Sequence, residues 1–440
     1  MLFRSCRTRA ELSADETHYT LNGEKMWITN AGFADLYTVF AKVGGEKFTA
    51  FLVERTFPGL SIGGEEHKMG IRGSSTCPVI LNDCRVPAEN VLGEIGKGHV
   101  IAFNILNVGR FKLGAMCVGG GRVSLENAIA YAKQRKAFNK SISDFGLVRE
   151  KLANMAVGIY VGEPLVYRTV GLMDSALAEV DKSAPDAARA TLRAIEEYAV
   201  ECSIIKVWGS EMIDYVVDET MQIYGGYGFV EEYPAERAYR DARINRIFEG
   251  TNEINRLIIT GFLLKRAMAG QLPLLPAIKK LMDEVLSGPS SREDFEGSLA
   301  EEQKLVTQAK KLGLFVAGAA TQKYMQTIQD QQEVMGAIAD MVIETYAMES
   351  AVLRAQKIAE TKGQTAAALP VAMTRVYLSQ AMEKVEAAAR KVIAAVADGD
   401  MLRTQLAILR RLAKHEPFNT IELRQQIAQK MIERGKYAIS

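Results

Sequence analysis

The stretch Arg246-Ile247-Phe248-Glu249-Gly250-Thr251-Asn252-Glu253-Ile254 sets one carboxylate between Phe248 and a Gly-Thr step. A carboxyl group in apolar surroundings loses hydration, so its charged form is disfavoured and its pKa rises. That makes Glu249 a candidate general base for chemistry near neutral pH. The competing reading is an ordinary acidic residue at a helix N-terminus, with Thr251 either capping that helix or offering its hydroxyl to a ligand. Further clusters carry binding chemistry. Arg135 and Phe138 follow a long helical run; Arg can grip a diphosphate through two parallel hydrogen bonds and Phe can cover an adenine. With Lys133, Lys136 and Lys140 they can equally form a solvated charged surface. Gln222 precedes Gly225-Gly226, whose missing side chains let a ligand approach the backbone, or which simply end a helix. Trp27-Ile28-Thr29 reads as strand, where an isolated Trp is ordinarily buried. Arg110, in Asn107-Val108-Gly109-Arg110, reads on its own as a helix-surface residue.

Composition narrows the field. A chain of 440 residues suggests two to four domains, and 48% hydrophobic residues with mean hydropathy near zero describe a globular protein with ample core. A net charge of +1 gives no global attraction for nucleic acid. The five cysteines are odd in number and contain no CxxC pair, which fits buried thiols in a reducing compartment and not a secreted protein. The four histidines are too dispersed for a metal site or a Ser-His-Asp triad. No G-x-G-x-x-G follows a strand and no P-loop is present, so a Rossmann or nucleotide-hydrolase reading lacks its evidence. No apolar run approaches the roughly 20 residues that span a bilayer. The basic Met1-Leu2-Phe3-Arg4-Ser5-Cys6-Arg7 is too short for a secretory signal.

The elements that must position these residues divide in two. Residues 17–92 read as short strands of a small barrel or sandwich. In that region Asn22-Gly23 predicts a hairpin turn between 18–21 and 25–29. Strands are also expected at 36–43, 48–53 and 79–81. From about residue 97 the period becomes helical, with helices expected over 100–134, 145–180 and 185–224, the last opened by Pro185. A Gly- and Pro-bearing turn at 225–234 leads to Glu249. Beyond a linker at 270–276 and a polar break at 287–291, four or so helices over 301–437 have the pattern of an antiparallel bundle.

Gln222-Ile223-Tyr224-Gly225-Gly226-Tyr227-Gly228-Phe229, Glu232-Tyr233-Pro234-Ala235-Glu236-Arg237 and Arg240-Asp241-Ala242-Arg243, taken with 248–252, resemble the C-terminal signature of the acyl-CoA dehydrogenases. The resemblance runs back through Arg135-Lys136-Ala137-Phe138-Asn139-Lys140, Met69-Gly70-Ile71-Arg72-Gly73-Ser74-Ser75-Thr76 and Trp27-Ile28-Thr29-Asn30, and covers about residues 17 to 262 in order. The C-terminal portion resembles, in placement and helical character, the extra helical domain of the very-long-chain branch. The resemblance implies an α+β fold: a small β-barrel domain over 1–95, an α-helical bundle over 96–264 and an additional helical domain over 265–440.

It implies FAD as cofactor, acyl-CoA as substrate and electron-transferring flavoprotein as oxidant, in a homodimer that produces a trans-2-enoyl-CoA in fatty acid β-oxidation. Glu249 then takes the α-proton while flavin accepts the β-hydrogen as hydride, chemistry no side chain supplies. The thioester carbonyl is polarised by the backbone N–H of Glu249 and a ribitol hydroxyl. Trp27, Ile28 and Thr29 lie against the flavin ring, Arg135 and Phe138 contact the cofactor across the dimer, and Gln222, Gly225 and Gly226 hold its adenine end. Thr251 offers its hydroxyl to the cofactor, while Asn107, Arg110 and Gly250 belong to the substrate site. Asn139 stands where the family often has Gly, and Gly146 near a family Gln, which removes one cofactor contact. The helical domain and Thr-Glu-Pro…Gly-Ser-Asp loop that precede this region in the family are not found, so weak flavin or acyl-CoA binding is expected. Acyl-CoA oxidase and a catalytically impaired scaffold or assembly protein are the alternatives. The basic run Arg410-Arg411-Leu412-Ala413-Lys414 suggests dimer or peripheral membrane contact, against a plain solvated helix face. The expected location is bacterial cytoplasm or the mitochondrial matrix.

Overall fold

The computed structural model describes residues 6–287, 297 and 299–439, so the polar break expected at 287–291 lies, beyond residue 287, outside the described residues. The chain forms two compact units, residues 1–108 with 180–196, and residues 109–179 with 197–440.

In the first unit seven strands form one sheet: β1 (Arg9–Leu12), β2 (His18–Thr29), β3 (Leu36–Val43), β4 (Lys47–Glu54), β5 (Leu60–Ile62), β6 (Thr76–Pro87) and β7 (Val91–Leu92). Their order is β5-β6-β2-β1-β3-β4-β7, an open sheet edged by β5 and β7 where a small barrel was expected. Strand alternation buries Tyr37, Val39 and Ala41 of β3 opposite Phe51 and Val53 of β4, and Tyr19 meets Phe51 edge-on at 5.2 Å. The hairpin expected at Asn22-Gly23 does not form. β2 runs straight through it, and pairing with β6 shifts register between Leu21 and Gly23. The physical reason is tertiary. A Cβ on Gly23 (φ +146°) would lie 2.8 Å from Thr8 Cα, so glycine admits the preceding chain. Asn22 meanwhile accepts the Asp83 N–H at 2.8 Å, spending its turn-forming side chain across the sheet.

The second unit is helical. α1 (Gly98–Gln134) begins in the first unit and continues into it. There follow a small ribbon of β8 (Lys136–Ala137) and β9 (Lys140–Ser141), then α2 (Gly146–Ala178). The expected single helix over 185–224 is two, α3 (Ala187–Glu197) and α4 (Ala199–Tyr224), broken at Tyr198. α3 buries no residue and belongs to the first unit, whereas α4 is mostly buried in the second, so the two have no common face to follow. α5 (Pro234–Ala242), α6 (Asn252–Met268) and α7 (Leu274–Ser287) lead to α8 (Ala300–Tyr324), α9 (Gln332–Lys362), α10 (Gln364–Val396), α11 (Gly399–Ala413) and α12 (Thr420–Arg434). One core cluster runs through this unit, from Leu125, Ile129 and Ile159 to Val385, Ile427 and Met431. Its polar members are bonded: Trp208 Nε1 donates to the Tyr377 hydroxyl at 2.9 Å, which donates to Glu344 at 2.6 Å. Among the described residues α1 alone is long and apolar enough, by length and composition, to cross a membrane, contrary to the sequence expectation. Its Leu113, Leu125 and Ile129 are nonetheless in the core.

Close crossing of α1 and α4 is what builds the site. A Cβ on Gly114 would lie 2.1 Å from Ile205 Cγ2, and one on Gly209 would lie 3.1 Å from Gly114 Cα. Gly109, Gly114 and Gly121 of α1 are thus close-contact positions, each with a neighbouring side chain within 3.2 Å of where a Cβ would stand.

Candidate active site

Glu249 sits two residues before Thr251, which caps α6 by accepting the Ile254 N–H at 3.4 Å. Glu249 (φ +58°) and Gly250 (φ +82°) both adopt left-handed backbone. For a Glu that conformation costs on the order of 1 kcal/mol or more and persists only where surroundings enforce it. Two buried side chains do so. Arg110, on α1 and 1% exposed, donates from Nε to the Glu249 carbonyl at 3.2 Å. Asn255, fully buried on α6, donates from Nδ2 to the carbonyls of Gly250 at 2.8 Å and Thr251 at 3.0 Å. The carboxylate itself lies over Gly109 of α1, where an added Cβ would meet Oε2 at 2.5 Å.

The electrostatics follow from burial. Desolvation pushes the Glu249 carboxyl above its ordinary value, opposed by the nearby Arg110 and Lys206 cations. Burial likewise lowers Arg110, which Glu249 partly restores. Lys206, fully buried on α4, donates to Asn252 Oδ1 at 2.6 Å, and Asn252 Nδ2 in turn donates to Ser210 at 3.0 Å and Glu211 at 3.0 Å. Burial and then Arg110 bring the Lys206 ammonium down to about 8. The arrangement is a half-buried base of raised pKa, its backbone fixed by Arg110 and Asn255, with Lys206 as a second nearby cation.

A lysine depressed to about 8 when folded, against its ordinary 10.5, binds fewer protons folded than unfolded between those two values. Stability therefore rises with pH across that window. Chemical denaturation from pH 7 to pH 11 should show a gain of up to about 3 kcal/mol in the parent over Lys206→Met. Parallel profiles would show that Lys206 is not held as a buried charge.

The other expected residues fall into separate groups. Trp27 is 71% exposed, with φ +57°, at a second irregularity of the β2–β6 pairing between Lys25 and Ile28. The ring is therefore not packed in the sheet's core, as an isolated strand Trp ordinarily is. Thr29 is exposed and Ile28 half-buried. Arg135, Gly225 and Gly226 come together around a cavity of about 450 Å³ in the second unit, with Tyr131, Tyr224 and Tyr227. Tyr131 stacks on Tyr224 at 4.1 Å and the Arg135 guanidinium lies 5.6 Å from the Tyr227 ring centre. Phe138, 90% exposed, and Gln222, exposed on the last turn of α4, are outside that lining. Gly225 (φ +59°) also caps α4, its N–H bonding the Gln222 carbonyl. Phe138 (φ +49°) and Asn139 (φ +64°) are the two central residues of the β8–β9 turn. Asn tolerates that left-handed turn position as Gly does, which accounts for Asn139. Asn107 is buried in the first unit. Arg110 is no surface residue: it is wholly under the Glu249 loop.

Sequence reasoning missed Lys206, Asn252 and Asn255. The signal for the first was present in Ile204-Ile205-Lys206-Val207-Trp208, a charge inside an apolar run, which is seldom buried without a partner. The asparagines gave none.

Three family models match the chain: "Acyl-CoA dehydrogenase, middle domain" at 3–84, and two described as "Acyl-CoA dehydrogenase, C-terminal domain" at 96–264 and 308–411. The chain is 48% identical over 433 residues to a probable acyl-CoA dehydrogenase of Bacillus subtilis, covering 98% of this chain and 73% of that protein. It is 37% identical over 380 residues to the very long-chain specific mitochondrial enzyme of Rattus norvegicus, covering 80% of this chain and 55% of that one. A crystal structure of acyl-CoA dehydrogenase complexed with FAD from Bacillus anthracis superposes with a TM-score of 0.96 at 50% identity, over 98% of this chain and 73% of that one. The chain thus spans about three quarters of these bacterial relatives and about half of the mammalian one.

Proposed function

The chain belongs to the acyl-CoA dehydrogenase family, and from that premise we propose that it carries out FAD-dependent α,β-dehydrogenation of acyl-CoA thioesters to trans-2-enoyl-CoA in fatty acid β-oxidation. The observation that carries the reading is Glu249: a single carboxylate of raised pKa, held in left-handed backbone by Arg110 and Asn255. Its Oε takes the α-proton. The electron pair left behind forms the C=C bond as the β-hydrogen departs with its own pair. The backbone N–H of Glu249 polarises the thioester carbonyl, which weakens the α-C–H bond. Arg110 and Lys206 oppose the rise of the carboxyl pKa that burial causes.

FAD supplies, when bound, the acceptor for the β-hydride. The residues present fit it. The cavity at Tyr131, Arg135, Gly225 and Gly226 offers a guanidinium, aromatic faces and a backbone with nothing within 4 Å of either glycine's Cβ position, which suits a diphosphate and an adenine. Trp27, Ile28 and Thr29 take the ring edge, with Trp27 already turned outward. Phe138, on an exposed turn, reaches the cofactor of a second subunit in a homodimer, Gln222 contacts the adenine end, and Thr251 contributes its hydroxyl. Asn107 and Gly250 belong with Arg110 to the acyl-CoA site.

The division 1–95, 96–264 and 265–440 is proposed as the domain organisation, supported by the three matched ranges. A long acyl chain is the proposed substrate, supported by the likeness to the very long-chain enzyme over 80% of the chain. Electron-transferring flavoprotein is the proposed oxidant and the bacterial cytoplasm the proposed location. The test is anaerobic addition of palmitoyl-CoA to the FAD-loaded protein. Bleaching of the yellow flavin with formation of the enoyl-CoA is expected; flavin that stays oxidised with short, medium and long acyl-CoA alike contradicts the reading.

A further inference from the structure

A second cavity, of about 400 Å³, lies in the second unit among α6, α7, α8 and α9. Its lining is almost wholly apolar, from Leu263 and Leu264 through Leu314 to Met335, Ile338 and Met341. The hydroxyls of two of its threonines are spent on their own helices: Thr260 donates to the Arg256 carbonyl at 3.2 Å and Thr345 to the Met341 carbonyl at 2.7 Å. They therefore present methyl groups to the cavity. Gly313 on α8 lines it with nothing within 4 Å of where a Cβ would stand. Glycine is a poor helix former, yet here its missing side chain keeps the space open. α7 is seated close by, since a Cβ on Gly318 would fall 2.6 Å from Ile278 Cγ2.

The charge is at one place only. Lys310 and Glu349 belong to the lining and are ion-paired, and Arg168 pairs with the same Glu349 at 2.9 Å. Two cations share one carboxylate there. Lys310, half exposed in that lining and sharing Glu349 with Arg168, is the cation that an anionic end group can reach. A volume of 400 Å³ falls in the range of small-molecule sites. Scaled from the engineered apolar cavity of about 150 Å³ that binds benzene, it holds about 16 carbon-sized atoms.

We propose that this cavity binds one long aliphatic chain with an anionic end, the chain among the leucines and methionines and the anion at Lys310. This site is distinct from Glu249, which does not line it, and the proposal does not rest on the dehydrogenase reading. Methionine side chains suit such a role, because they adapt to chains of different shape.

The test uses the purified full chain and the fluorescent fatty acid cis-parinaric acid, whose chain is unbranched and carries its fluorophore in its own double bonds. Saturable binding is expected, weakened at least about tenfold by Gly313→Trp and unchanged by Glu249→Gln. Ala317→Phe, in the same lining, repeats the block should the tryptophan disturb folding, with circular dichroism checked for both. Displacement by palmitate assigns a free fatty acid, and displacement by palmitoyl-CoA alone assigns a thioester's chain. Lys310→Glu should weaken palmitate while leaving uncharged dodecanol unaffected. Absence of saturable binding, or binding unchanged in folded Gly313→Trp and Ala317→Phe, overturns the proposal. Flavin bleaching by acyl-CoA should persist in Gly313→Trp, so failure of this site and failure of the dehydrogenase reading give different results.

Discussion

Replacing Glu249 with Gln should lower turnover by about 100- to 10,000-fold, the contribution ordinarily made by a positioned general base. The amide keeps the shape and the left-handed backbone, because the restraints act on main-chain carbonyls: Arg110 on residue 249 itself, and Asn255 on Gly250 and Thr251. What is lost is the only charge at that point able to accept a proton. The carboxyl is raised by desolvation, so removing it also removes a group that folding disfavours when ionised. A carboxyl raised on folding holds its proton more tightly in the native state, so its contribution to stability falls as pH rises through its folded pKa. Glu249→Gln should therefore match the parent's thermal midpoint at low pH and equal or exceed it at pH 7. Steady-state turnover, flavin content and midpoint, measured together, check this. A variant that turns over close to the parent's rate with flavin bound removes Glu249 from the mechanism.

Gly109→Ala separates activity from stability in the opposite direction to most active-site changes. Alanine inside a helix is favoured over glycine by about 1 kcal/mol, and Gly109 lies within α1. The new Cβ would stand 2.5 Å from Glu249 Oε2, a distance that cannot be kept. The carboxylate is the movable end of a side chain, so it yields at little cost to the fold. Its displacement by about 1 Å is enough to cost roughly 100-fold in rate. Expected, then, is a melting temperature equal to or above the parent's with turnover down about 100-fold. Parent-like turnover would mean that the position of the carboxylate over α1 is not the productive one.

How much of this could be read from the sequence depended on whether the determining contact was local. β3 is found over Leu36–Val43, where alternation placed it, because a half-buried strand writes its burial into its own residues. Glu249 stood out because Phe248, Gly250 and Thr251 are its immediate neighbours in the chain. Asn22-Gly23 misled, since the residue that selects its conformation is Thr8, fourteen or so positions earlier. The exposed Trp27 stands at a register shift against β6, which only the partner strand defines. Lys206 and Asn252 meet across helices far apart in sequence, so the apolar run around Lys206 announces a buried charge but not its partner. Asn255 bonds the Gly250 and Thr251 carbonyls only because the backbone there is left-handed. Asn139 shows the reverse case, a departure from the family pattern that a left-handed turn explains at once.

The central claim is that Glu249 exchanges a proton with the carbon next to a thioester carbonyl. Incubation of the FAD-loaded protein with an acyl-CoA in deuterium oxide, under conditions where the oxidised product cannot accumulate, reads that step directly as deuterium at the α-carbon. The parent should incorporate deuterium at a rate that rises with pH through a value above the ordinary range of glutamate, and Glu249→Gln should incorporate none beyond the uncatalysed background. Incorporation by Glu249→Gln at the parent's rate would contradict the account, because another group would then be the base.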